Sequence, residues 1–146
     1  MTYGLHILIR TELEIDLIEG GLPAEDIPTE WNKRYWELLG IKPSNDSEGC
    51  LQDVHWSEGA FGYFPSYLLG HLISAQISSK MEKEIGLIDN LVENGEFKKM
   101  IFWLKNNVHN YGRSLNAMEL VRNVTGEDLT SSYFIDHLKM IKKDFC

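Results

Sequence analysis

The residues best suited to chemistry lie in one short aromatic segment, which contains His55, Tyr63 and Tyr67. Histidine and tyrosine can each donate a hydrogen bond while neutral near pH 7, so both can bind an oxygen atom of a substrate. Tyr63 and Tyr67 are four residues apart and share a face if both are helical. Alternatively, Tyr63 lies in a loop that Gly59 and Gly62 make adaptable, and only Tyr67 is helical. Without further information, the histidine beside a tryptophan fits a packed core pair as well as a functional one.

The elements that must position these side chains are helices. Apolar residues recur at helical spacing along most of the chain, and no stretch alternates as a strand would. Glycines at Gly20, Gly40 and Gly126 mark helix ends, and Asn116 has the position of an N-cap. The sequence therefore predicts an all-α protein of roughly seven helices, in one segment without repeats or linkers, and it places them at 6–18, 28–39, 65–83, 85–92, 97–108, 117–125 and from 130 onward.

Composition excludes several classes of partner. The 146 residues carry a formal net charge of -8, whereas binding to nucleic acid needs a clustered basic face. The one basic cluster, Lys139 to Lys143, fits the solvated side of the last helix. No apolar run approaches the roughly 20 residues that span a bilayer, and the first 20 residues do not resemble a signal peptide. We therefore expect no nucleic acid and no membrane among its partners.

The histidines and cysteines do not have the spacing of a metal site. None of the five histidines is followed by Glu and then by a second His four positions on. Cys50 and Cys146 do not form a disulfide framework, which favours a reducing, cytoplasmic setting. The sequence thus predicts no metal ligands in this chain.

One long motif resembles a known family. The segment Gly49-x-x-Gln52-Asp53-x-His55-Trp56 matches a signature of the carboxypeptidase Taq family of zinc metallocarboxypeptidases. Further similarity covers nearly the whole chain, at residues 2–20, 59–70 and 103–127. The resemblance implies that residues 1–146 are a single all-α segment similar to the C-terminal third of a family domain.

The resemblance also implies roles for particular residues. His55, with one of Tyr63 and Tyr67, would contact the transition state or the substrate, because related α-helical zinc peptidases supply such donors from a histidine followed by tyrosines. Gln52, Asp53 and Trp56 would belong to the substrate-binding surface, although Asp53 could equally cap or orient and Trp56 could equally pack.

Other polar residues have expected roles that are structural. Arg10 would pair with Glu12, with Glu14 or with a residue upstream of this chain. His6, like the histidines further along the chain, would be structural or exposed.

The departures from the family pattern set the expected function. Family members are about three times longer, and they bind zinc (in some cases cobalt) through a His-Glu-x-x-His helix that this sequence lacks. Met1 could be an internal methionine of a longer gene, so a shortened gene, a split gene and a deliberately cut piece remain open. We expect a segment of a peptidase that removes C-terminal residues from peptides, supplying pocket groups but inactive alone.

Two alternatives remain for the function. In the first, the chain is one subunit of a split enzyme and binds an N-terminal zinc-binding chain through the apolar start of its first helix, Leu5 to Ile9. In the second, it is a non-enzymatic interaction or oligomerisation module. In each case an uncovered apolar surface predicts a homo-oligomer or a partner chain.

Overall fold

The computed structural model of the protein describes residues 2–145, with side chains up to Lys142. Met1, Cys146 and the side chain of Lys143, on which some of the expectations above depend, lie outside the described residues. Within the described range every regular element is helical, which confirms the predicted all-α class, with eight α-helices instead of about seven. They are α1 Tyr3–Ile18, α2 Ile27–Leu39, α3 Val54–Ser57, α4 Phe64–Ile85, α5 Ile88–Glu93, α6 Phe97–Asn107, α7 Ala117–Thr125 and α8 Ser132–Phe145, with 3-10 turns at Ala24–Asp26, Cys50–Gln52 and His109–Tyr111.

The predicted helix ends agree with the capping chemistry. Gly40 ends α2 in the left-handed conformation at φ 66°, which glycine adopts without strain. At the start of α7, Asn116 accepts from the backbone N–H groups of Met118 and Glu119, while the Glu119 carboxylate accepts from the Asn116 backbone. This reciprocal pair is a capping box, and it satisfies donors that would otherwise lack partners.

The chain forms two compact units, Met1–Leu69 and Gly70–Cys146. In the first unit, α1 packs against α2 through a core that contains Ile9, Leu13, Trp31 and Tyr35. The rings of Trp31 and Tyr35 stack with their centroids 4.6 Å apart. Large flat side chains thus join the two helices, and this unit also contains every residue predicted for the site.

The second unit has its own core around Ile77, Met81, Trp103 and Val124. The side-chain amide of Gln76, which is almost fully buried, donates to Thr125 Oγ1 and to the Asp128 carbonyl. Its oxygen accepts from the Thr130 backbone N–H. One buried amide with all these bonds made therefore holds the connection between α7 and α8 at low cost.

Two expectations about exposed and buried faces were wrong. Leu38, expected on the buried face of α2, is 43% exposed, whereas Trp31 and Tyr35 on that face are buried as expected. Ile7 and Ile9, expected at an interface, are buried within the chain itself. Among the described residues, no helix combines the length and the hydropathy that crossing a membrane requires.

Candidate functional site

A cleft of about 480 Å³ opens in the first unit, beside α1 and the start of α4. The 3-10 turn Cys50–Gln52 and the short helix α3 bring Asp53 and His55 to it, and the first turn of α4 brings Tyr67. The sequence segment between 49 and 67 therefore folds back on α1 to make one wall. The lining residues are Thr2, Tyr3, His6, Ile7, Arg10, Asp53, His55, Phe64 and Tyr67.

His55 is held at both of its ring nitrogens. Its Nδ1 lies 2.6 Å from Asp53 Oδ1, and its Nε2 lies 3.1 Å from the Tyr67 hydroxyl. The same Asp53 oxygen accepts from the backbone N–H of His55 at 3.0 Å, so Asp53 is also the N-cap of α3. Because an ionised carboxylate only accepts, Nδ1 must carry its proton, which leaves Nε2 as the nitrogen that faces Tyr67.

Asp53 is kept ionised by its surroundings. Burial by itself would raise the pKa of its carboxyl group. Hydrogen bonds from the His55 backbone, from Arg10 and from the His55 ring, together with the positive charge of Arg10, outweigh that effect and lower the pKa below its ordinary value. The Arg10 Nε lies 2.5 Å from Asp53 Oδ2, and the two side chains are 16% and 7% exposed. The acceptor that orients His55 is therefore a carboxylate at neutral pH.

Arg10 is the centre of this network. Its guanidinium donates to the His6 carbonyl at 3.0 Å and to the Tyr35 hydroxyl at 2.6 Å, and it lies 4.8 Å from the ring centroid of Trp31. The expectation that Arg10 pairs with Glu12, Glu14 or an upstream residue was wrong, because its partner is Asp53, 43 residues away in sequence. Helix α1 and the site motif are joined by this pair.

His6 completes the network on its other side. Its Nδ1 lies 3.2 Å from the Tyr35 hydroxyl. Since that hydroxyl oxygen already accepts from Arg10, its proton is directed to His6, which must be neutral to accept it. Burial, and then the charge of Arg10, lower the pKa of His6 in the same direction. His6 had been expected to be structural or exposed, and the structure places it in the cleft.

The three predicted catalytic residues lie together. Ring centroids of His55 and Tyr63 are 6.1 Å apart, those of His55 and Tyr67 are 5.9 Å apart, and those of the two tyrosines are 5.7 Å apart. Tyr63 is in the loop and Tyr67 is in α4, so the second of the two alternatives is correct. Only Tyr67 makes a hydrogen bond with His55, while Tyr63 is 55% exposed and contributes an aromatic edge.

The two other motif residues make contacts within the protein. Gln52 donates to the Ser47 carbonyl at 3.0 Å. The Trp56 ring packs edge-on against Trp31 with centroids 5.9 Å apart, and its Nε1 donates to Glu14. Neither Gln52 nor Trp56 lines the cleft. Their predicted contact with substrate stays a prediction, and the contacts present hold the motif in place.

Glu14 was missed as part of the site. It is 4% exposed, and its carboxylate accepts from Trp56 Nε1 at 3.0 Å and from the Gly62 backbone N–H at 2.9 Å. Gly62 has φ +75°, a conformation that favours glycine, and it immediately precedes Tyr63. One buried carboxylate on α1 thus fixes the loop that carries Tyr63. A charged residue between Leu13 and Ile15 was the available signal.

The described residues do not fit a metal ion. Nowhere between residues 2 and 145 do three or more His, Cys, Asp or Glu side chains converge as ligands would. In the cleft, the Asp53 carboxylate is taken up by Arg10 and His55, so it is not available as a ligand.

Comparison with known proteins gives the family. The model of the carboxypeptidase Taq (M32) metallopeptidase family matches residues 1–142, so the chain belongs to this family. It is 44% identical over 138 residues to carboxypeptidase 1 of Bacillus subtilis, with 94% of this chain and 28% of that protein covered. It is 41% identical over 139 residues to thermostable carboxypeptidase 1 of Thermus thermophilus, with 95% and 27% covered.

The fold agrees with that assignment. The structure of Trypanosoma cruzi metallocarboxypeptidase 1 aligns with a TM-score of 0.89 at 40% identity, over 94% of this chain and 29% of that one. The chain spans 27–28% of the length of the curated relatives, and it corresponds to a C-terminal segment of the family fold.

Proposed function

We propose that this chain supplies the side of a carboxypeptidase active site that binds the scissile carbonyl of a peptide. The observation that carries the proposal is the cleft in which His55 is held between Asp53 and Tyr67. A tetrahedral intermediate of peptide hydrolysis develops negative charge on one oxygen, and preorganised donors stabilise that charge. His55 and Tyr67 are donors of this kind, and Arg10 beneath them adds a fixed positive charge.

Proton bookkeeping gives His55 and Tyr67 separate roles. While His55 is neutral, its Nε2 is an acceptor, and the Tyr67 hydroxyl donates to it. When His55 gains a proton, Nε2 becomes a donor to the Tyr67 oxygen, and the Tyr67 hydroxyl proton is free to turn into the cleft. Because Asp53 accepts from Nδ1 in both states, it stabilises the protonated ring. A proton on His55 would therefore convert Tyr67 into a donor for the oxyanion.

The rest of the catalytic site would come from outside this chain. The family is one of metallopeptidases, and the described residues do not fit the metal. We place the zinc or cobalt ligands in the part of the family fold that this chain does not cover. The chain alone would then be inactive, and it would act with a second chain that carries those ligands. A homo-oligomer that works as an interaction module is the alternative.

The expected cellular setting follows from composition. The free, buried Cys50 and the net charge of -8 favour a reducing compartment and disfavour nucleic acid. We propose a cytoplasmic location and a peptide substrate.

Binding of a transition-state mimic tests the proposal directly. A dipeptide phosphonate and its amide parent would be titrated into the chain by calorimetry, because the charged tetrahedral phosphonate resembles the intermediate. We expect the phosphonate to bind more tightly, and we expect Tyr67→Phe and His55→Gln each to reduce that preference about tenfold. Tyr111→Phe, in the second unit, is the control and should bind as the wild type does.

Two results would contradict the proposal. Equal affinities for phosphonate and amide, or a preference unchanged in Tyr67→Phe and His55→Gln, would remove the oxyanion role. Hydrolysis of a blocked dipeptide by the purified chain with added zinc or cobalt would show that a metal site exists within it, which is opposite to our expectation of no turnover.

A further inference from the structure

One face of α1 is uncharged and exposed along its whole length. Counting from the helix start, its residues recur at intervals of four and three, which is the heptad spacing by which one helix packs along another. Leu8 is 36%, Ile15 48% and Ile18 69% exposed. Thr11 donates its hydroxyl to the Ile7 carbonyl at 2.9 Å, so it presents its methyl group outward. We call this face the α1 seam, formed by Gly4, Leu8, Thr11, Ile15 and Ile18.

The remaining faces of α1 already have partners within the chain. Ile9 and Leu13 are fully buried in the core of the first unit. His6 and Arg10 line the cleft. The seam is therefore separate from the site, yet it lies on the helix that carries two residues of the site. It extends for about 24 Å, as the 16 residues of α1 rise about 1.5 Å each.

Charge argues against a second copy of this chain as the occupant. The first unit contains 12 carboxylate residues and only 4 Lys or Arg, whereas the second contains ten of each. Thus the first unit accounts for the whole net charge. Glu12 and Glu19 lie beside the seam on α1, and the Glu12 side chain is 49% exposed. Two such seams facing each other would bring like charges together, while a helix with basic flanks would be attracted.

The size of the relatives indicates where such a helix would come from. The same segment is conserved at 44% identity in a protein of which it makes up only 28%. We propose that the α1 seam docks an amphipathic helix of a separate chain that carries the rest of the metallopeptidase fold, with an apolar face and Lys or Arg at its edges. This inference rests on the proposed function, since that chain would bring the metal to the cleft.

The test uses this full chain and a defined partner. The partner is the portion of Bacillus subtilis carboxypeptidase 1 that precedes the matched segment, expressed as a separate chain. Binding would be measured by calorimetry and by analytical ultracentrifugation. We expect Leu8→Glu with Ile15→Glu to weaken binding at least about 100-fold, because two charges would be buried without partners. The single variant Ile15→Glu should weaken it about tenfold.

A matched control separates the seam from general surface effects. Leu51 is 72% exposed in the same unit but lies outside α1, so Leu51→Glu should bind the partner as the wild type does. Circular dichroism would verify that each variant is folded. Since the seam positions are exposed, the folded state should tolerate the changes, and Ile15→Glu keeps the test valid if the double variant does not fold.

Each other outcome overturns the inference. Absence of binding by a monomeric wild type would do so, as would binding that the seam variants leave unchanged. A wild-type homodimer that Ile15→Glu dissociates would assign the seam to a second copy. The proposed function is tested separately, because phosphonate binding to the chain alone should be the same in the seam variants and the wild type.

Discussion

The substitution Asp53→Asn isolates the charge that holds the site together. Asn is as good an N-cap as Asp, so the start of α3 keeps its side-chain cap. What is lost is the negative charge between Arg10 and His55, together with the guarantee that an acceptor faces His55 Nδ1. The change therefore separates electrostatic orientation of the histidine from local helix capping.

The expected loss of stability can be worked from the contacts. Removing one partner of a buried ion pair costs roughly 3–5 kcal/mol, because the other charge remains without compensation. Arg10 keeps its bonds to the His6 carbonyl and the Tyr35 hydroxyl and its position over Trp31, which favours the lower end. We expect the free energy of unfolding to fall by about 3 kcal/mol, or on the order of 100-fold in the unfolding equilibrium.

The assay combines urea unfolding with a direct readout of the histidine. Unfolding would be followed by circular dichroism and by tryptophan fluorescence. The control is Asp136→Asn, which removes an ion pair with Lys139 whose side chains are 69% and 68% exposed; it should change stability by less than about 1 kcal/mol. Nitrogen-15 chemical shifts of His55 should show a protonated Nδ1 in the wild type at neutral pH and a mixture of tautomers in Asp53→Asn.

Either of two results would refute the reasoning. A loss as small as that of Asp136→Asn would mean that the Arg10 pair contributes no more than an exposed one. An unprotonated Nδ1 on His55 in the wild type would mean that Asp53 does not select the tautomer, and the proton bookkeeping for Tyr67 would fail with it.

Two further predictions concern the residues that support the site. Glu14→Gln leaves one of its two buried donors without an acceptor, so we expect a loss of about 1–3 kcal/mol and at least tenfold faster hydrogen exchange of the Gly62 amide; Glu12→Gln should change neither, and unchanged exchange in Glu14→Gln would contradict the anchoring role. For His6, whose pKa is lowered from 6.5 by burial and by Arg10, the unfolded chain takes up a proton first as the pH falls, so this contribution to stability is complete above pH 6.5 and is lost below it. Urea unfolding at pH 7.5 and pH 5 should show a smaller decline in His6→Gln than in the wild type, and an equal decline would show that His6 is not the group responsible.

Local patterns were enough to predict the helices and most of their ends. The capping residues Gly40 and Asn116 act through bonds to their near neighbours in sequence, so their chemistry is readable without a tertiary structure. The face of α2 was harder, because Leu38 and Leu39 are adjacent and only the packing of α1 decides which is buried. The division of one long helical signal at Gly86 into α4 and α5 is again local, since Gly86 has φ +100°.

The site was only partly predictable for a related reason. His55, Asp53 and Tyr67 lie within 15 residues and share one motif, so their association could be inferred. Arg10 and Glu14 reach that motif across 42 to 48 residues. Their neighbours in sequence offered carboxylates and apolar contacts that were equally plausible as partners.

The sequence by itself determined the helical class, the family and the residues capable of contacting a substrate, because periodicity, caps and a contiguous motif are all local features. Only the tertiary structure decided that Asp53 pairs with Arg10, that His6 belongs to the cleft and that Ile7 and Ile9 are buried while Leu8 and Ile15 are exposed. Those outcomes depend on which face of α1 meets α2 and the motif, and a helix can present any of several faces until its partners are packed against it.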